Sequence, residues 1–228
     1  MPISTHSRLA ALFMACLMLL MAVLAGSRGW ADLERLTSEK ITEKARNLQN
    51  DDWLRAWEKS LSLMLRVHNI APANADYTRQ LGLLYSTRSR HAAAGPEREQ
   101  YQKLALEHFA GASQRRPAWA ANWVTYAQAR YRSEGLDKQV LIAMQRAMEL
   151  GPWEPAVLGG ISRLAMINWS DLPSELQISA WQSIRNAVAH RDLSGRIQKW
   201  AASAGWSAYL KRAQRENARE RQNPGTYR

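Results

Sequence analysis

Apolar side chains recur every three or four residues along most of this chain, the spacing of one helix face. One run stands apart. Leu9 to Gly26 is apolar throughout and carries no charge over 18 residues. That length is near the lower limit for crossing a bilayer core as a helix, and it equally suits a secretory signal. Behind it Leu33, Leu36, Ile41 and Leu48 form a sparse stripe, which predicts a stalk or a loosely docked helix. Asn50-Asp51-Asp52 predicts a helix start with Asn50 as the cap, and Trp53, Trp57, Met64 and His68 follow on one face. Asn74 opens the next helix, whose inward face is Tyr77, Leu81, Leu84 and Tyr85. The polar, basic stretch from Arg88 to Glu99 is either a lengthened helix and loop or a solvated excursion. Helices are predicted again over Tyr101 to Ala112, Trp119 to Tyr131 and Leu136 to Met148, with Gly135 breaking the last two apart. After Gly151-Pro152 come a helix with Val157, Ile161 and Leu164 inward, then one capped by Ser174 and carrying Leu176, Ala180 and Ile184. A final helix is predicted from Leu193 to about Arg221, ended by Asn223-Pro224-Gly225. No stretch predicts a strand.

The pattern repeats. Ala105, Phe109, Ala112 and Pro117 have the same spacing as Val140, Met144, Ala147 and Pro152, and the two prolines lie 35 residues apart. Met64 and Val67 lead to Pro72 with the same final intervals. This is the spacing of the tetratricopeptide repeat, a helix pair of about 34 residues in which small residues allow close approach and a proline ends the second helix. The predicted fold is all-α: an N-terminal membrane helix or signal segment, then a short tetratricopeptide-like solenoid. The expected segments are 1–31 as anchor or signal, 32–50 as stalk, 51–190 as helical repeats, and 191–228 as a basic C-terminal helix and tail. A solenoid binds along the surface lined by the first helix of each pair. In this register that surface includes Arg79, Leu83, Gln128, Tyr131 and Arg132.

Composition narrows the picture in two ways. Cys16 is the only cysteine and lies in the apolar run, so the rest of the chain needs no disulfide and offers no thiolate metal site. The formal net charge is +11, and from Arg185 onward ten basic residues face three acidic ones. The charge is therefore concentrated at the C-terminal end, where it suits anionic lipid or an acidic polysaccharide. An export segment and a tail-localised charge argue against nucleic acid.

Reacting groups in recognisable patterns are missing from the sequence: no phosphate-cradling glycine loop, no GxSxG elbow, no HExxH. The histidines are scattered, and carboxylate pairs such as Glu97 and Glu99 sit in polar stretches where solvation is their normal state. The ten tryptophans sit mostly at helical spacings, which favours packing over a sugar platform. The expectation is a protein that binds without catalysing, and with no cofactor.

The segment Pro117 to Trp169 resembles the VpsP family of bacterial exopolysaccharide biosynthesis proteins. The resemblance rests on Arg116-Pro117, on Trp119, Trp123 and Tyr126, on the Met144/Ala147/Leu150 helix, and above all on Gly151-Pro152-Trp153-Glu154-Pro155 with Trp169 beyond it; Gly205-Trp206 also suits the family. It implies a membrane-anchored helical-repeat accessory protein working with polysaccharide polymerase and export proteins of the inner membrane, and it brings no catalytic residues. The implied setting is a single N-terminal anchor with the repeats in the periplasm; the alternative is a cleaved signal and a soluble periplasmic protein.

Overall fold

The structure, a computed structural model, describes residues 5–222. Among the described residues there are ten α-helices, one short 3-10 turn and no strand. The predicted stop at Asn223-Pro224-Gly225 lies outside them. The chain forms two compact units that divide between Leu84 and Tyr85.

The first unit holds α1 (Thr5–Ala45), α2 (Asn50–Ile70) and the start of α3 (Ala75–His91). The apolar part of α1 is long enough to cross a membrane, and its large side chains from Leu12 to Leu24 are exposed. The helix then passes through Ala31 and Asp32 without a break, so the apolar run and the predicted stalk are one element. Its packing face differs from the predicted stripe. Leu33, Leu36 and Leu48 are exposed, whereas Ala31, Ser38 and Ala45, seven residues apart, are buried. Small side chains at that spacing form a seam along which α2 can approach closely. At the crossing, Ser38 Oγ donates to the Ser60 carbonyl at 3.2 Å and Ser60 Oγ to the Ser38 carbonyl at 3.4 Å. Arg66 meets Glu34 at 3.1 Å, so the two helices run antiparallel. The reversal between them takes a few residues, and Asn50 adopts φ 52° to make it. Asn50 is therefore the first helical residue and not the cap; Gln49 precedes it without a capping side chain. Asparagine tolerates the left-handed region better than most residues. The start of α3 is tied to this pair by Tyr77, whose hydroxyl donates to Asp32 at 2.7 Å, and by the Trp57 indole, which donates to the Leu84 carbonyl at 2.9 Å. Asn74 caps α3 as predicted, accepting from the Asp76 amide at 2.9 Å.

The second unit continues from the end of α3 through α4 (Pro96–Arg115), α5 (Ala120–Glu134), α6 (Lys138–Leu150), α7 (Pro155–Asn168), α8 (Ser174–Ala189), α9 (Ser194–Ser203) and α10 (Ser207–Gln222). Between α4 and α10 each helix packs on neighbours one and two places along the chain: α5 on α6 and α7, α6 on α8, α7 on α9, α8 on α10. Contacts of this kind build a core by stacking helix pairs. Phe109, Ala112, Met144 and Ala147, the positions that define the repeat spacing, are all buried. The Arg88 to Glu99 stretch is a lengthening of α3 and α4 around a short turn. Gly95 makes that turn at φ 137°, Arg98 donates twice to the Ala92 carbonyl, and Arg88 pairs with Glu97.

One turn recurs three times. Ala71, Arg116 and Gly151 end their helices at φ/ψ of −140°/71°, −137°/71° and −149°/61°, each followed by proline. In each case the amide three residues on closes the turn, with Asn74, Trp119 and Glu154 donating back to the Ala71, Arg116 and Gly151 carbonyls at 3.0, 3.2 and 3.1 Å. The cause is steric. A residue before proline is barred from the α region, so the helix stops there and the next begins four residues on.

Two boundaries differ from those predicted. Ser174 is the first residue of α8, with Pro173 before it and no capping side chain. The single C-terminal helix is two, α9 and α10. Gly205 at φ 73° ends α9, and the Trp206 amide reaches back to the Ala201 carbonyl at 2.7 Å. That is a Schellman closure, which glycine permits and which alanine-rich flanks conceal.

Candidate functional site

The residues expected to line a binding surface fall in both units and are described within each. In the first, Arg79 and Leu83 are half-buried. The Arg79 guanidinium is held below the usual arginine range by burial, against the pull of Asp76 and Glu39. In the second, Tyr131 packs partly against the core and Gln128 turns its amide toward α7, near Gly160. Arg132 alone of the five is exposed.

It belongs to a cluster of arginines. The Arg132 guanidinium donates to Ser86 Oγ at 3.2 Å. Arg90 donates to the same oxygen at 3.2 Å and also to Thr87 Oγ1 at 3.0 Å. Their nitrogens are therefore separated by no more than twice the first distance. Arg163 of α7 lies close enough to both to repel them. Its guanidinium sits over the Trp200 ring of α9, 5.5 Å from the centroid. Crowding by protein atoms and the charges of Arg90 and Arg163, in that order, lower Arg132 to about 10. The same two causes, burial first and then Arg163, lower Arg90. All three side chains nonetheless expose surface. Among the described residues none of the three is paired with a carboxylate.

Sequence reasoning places Arg132 on this surface and misses Arg90 and Arg163. A signal is present. The three stand 18, 15 and 11 residues after Pro72, Pro117 and Pro152, about one helical turn earlier each time.

A second surface lies where α6, α8 and α10 meet. Leu141, Ile142, Trp169, Leu176, Trp181 and Trp206 line a groove of about 1090 Å³. Trp169 meets Trp206 edge-on at 5.1 Å and Trp181 at 6.4 Å, and Tyr209 tilts against Trp206 at 4.8 Å. The Trp181 indole donates to Glu216 at 3.1 Å, and Arg212 covers its ring. Arg185, also from the basic end of the chain, contacts Glu216 at 3.5 Å and Asn217 at 3.1 Å. Part of the C-terminal charge is thus committed to holding α10 on α8.

The Gly151 to Pro155 segment is the third of the recurring turns. A Cβ at Gly151 would lie 2.6 Å from Ala120 Cβ and 2.9 Å from the Glu154 carboxyl group, so the close approach of this turn to α5 requires glycine. Pro155 takes the first turn of α7, where its missing N–H costs nothing. Trp153 points outward and is 70% exposed. No group of three or more His, Cys, Asp or Glu among the described residues is placed to hold a metal ion. Compared with protein-family models and with curated proteins, the chain matches none.

Proposed function

We propose that this is a non-enzymatic accessory protein of bacterial exopolysaccharide biosynthesis and export. It holds polymerase or export proteins on a helical-repeat surface at the periplasmic face of the inner membrane. The observation that carries the reading is α1, whose exposed apolar half runs without a break into the folded α1–α2 pair. A chain built this way is held directly against a bilayer, with no flexible linker between anchor and fold. The two surfaces of the second unit suit holding more than reacting. One is a groove of indoles and aliphatic side chains. The other is a set of arginines, which neither give nor take protons near neutral pH. The resemblance of Pro117 to Trp169 to the VpsP family supplies the polysaccharide setting.

The test is the yield of secreted polysaccharide from a strain lacking the protein. The expected result is a clear fall that the full chain restores and a copy released by a cleavable signal does not. An unchanged yield in the deletion strain would contradict the function. Full restoration by the released copy would contradict the need for a tether.

A further inference from the structure

The arginine cluster has a chemistry of its own that does not depend on the polysaccharide reading. Arg90 of α3 and Arg132 of α5 meet on one hydroxyl in the second unit, and the charge of Arg163 of α7 acts on both. Like charges repel, and a fold that only needed packing at these positions would place carboxylates beside them or separate them. Here neither device is used. Ser86 is buried, and its oxygen is occupied by the two donors it already receives, which fixes where both guanidinium groups point. Arg163 is oriented differently, by its face against Trp200. A guanidinium stacked through its face keeps its in-plane N–H donors available. The result is a cluster of exposed, oriented donors with surplus positive charge and, among the described residues, no carboxylate paired with it.

The identity of the missing partner follows from charge and geometry. A single carboxylate supplies one negative charge and two oxygens, too little to balance three arginines. A phosphate or pyrophosphate group supplies up to two charges or more and oxygens in several directions, and planar guanidinium groups bind such oxyanions through paired hydrogen bonds. A long, evenly charged polymer would be met by cations spread along a track, whereas Arg90 and Arg132 meet on a single oxygen. We propose that Arg90, Arg132 and Arg163 form a binding site for a phosphate-class oxyanion, with Ser86 and Trp200 as positioning residues. The lowered proton affinity of Arg132 and Arg90 accords with it, since a bound dianion would reverse the cause.

The experiment uses the full chain in detergent micelles, titrated with inorganic pyrophosphate by calorimetry at constant ionic strength. Saturable binding at one site per chain is expected. Arg132→Gln and Arg90→Gln should each weaken it at least tenfold, while Arg146→Gln on α6 leaves it unchanged. Because the glutamines relieve repulsion, both variants should melt no lower than the parent, which separates loss of binding from loss of fold. Arg163→Gln gives an independent third reading. Repeating the titration in nanodiscs with and without phosphatidic acid identifies the source. Competition by that lipid assigns the site to a lipid-borne phosphate, and unchanged affinity assigns it to a soluble one. Either result supports the phosphate chemistry. No saturable binding, equal binding by parent and Arg132→Gln, or tighter binding of oligogalacturonate than of pyrophosphate would overturn it.

Discussion

Gly159 and Gly160 are neighbours in α7 with opposite surroundings. A Cβ on Gly160 would lie 2.3 Å from Val124 Cγ2, while one on Gly159 would meet only Leu193 Cδ2 at an ordinary 3.7 Å. Both changes to alanine gain helix propensity worth about 1 kcal/mol. At Gly160 the gain is outweighed, because valine is stiff at χ1 and cannot swing its methyl away. Overpacking of that kind costs about 1–3 kcal/mol. Gly160→Ala should therefore destabilise the second unit by about 1 kcal/mol or more, and Gly159→Ala should stabilise it by up to about 1 kcal/mol. Denaturant unfolding of the two variants checks this; the same sign for both would show that α5 and α7 do not approach as described. Sequence alone places both glycines inside a helix and cannot rank them, since the difference lies in a valine 36 positions away from one of them.

At the scale of elements, the tie between α1 and α3 has a pH signature. Tyr77 is pushed up to about 12 by burial first, then by its hydrogen bond to Asp32 and that residue's charge. A tyrosine in the unfolded chain ionises near 10. A raised pKa contributes stability below the unfolded value and loses it as pH rises through the folded one. The first unit should therefore weaken between about pH 10 and pH 12, and Tyr77→Phe should flatten that fall. Circular dichroism melts across that range read it; an equal alkaline loss in parent and variant would remove Tyr77 from the account. Elements differ in how far the sequence announces them. The three proline turns are legible because proline acts on its own neighbour, without help from the fold. The break at Gly205 is hidden, since the alanines on both sides favour continuing the helix. The face of α1 is hidden for a related reason. Ala31, Ser38 and Ala45 carry little hydrophobicity, and what buries them is the closeness of α2. Arg90, Arg132 and Arg163 belong to three helices and meet only after stacking, so the diagonal of their spacing has meaning only once the fold is known.

For the whole molecule, the proposed function depends on which side of a membrane the units occupy. α1 carries exposed leucines and methionines through Leu24 and then polar, paired residues from Asp32 onward, Arg35 with Asp32 and Glu39 among them. A helix of that build is compatible with an anchor or a signal segment, and the proposal places the folded pair at the outer face of the inner membrane. A dual reporter fused after Arg228, with one half active only in the periplasm and the other only in the cytoplasm, measures it directly. Periplasmic activity in the membrane fraction is the expected result. Cytoplasmic activity with a silent periplasmic half would contradict the claim and the polysaccharide reading with it.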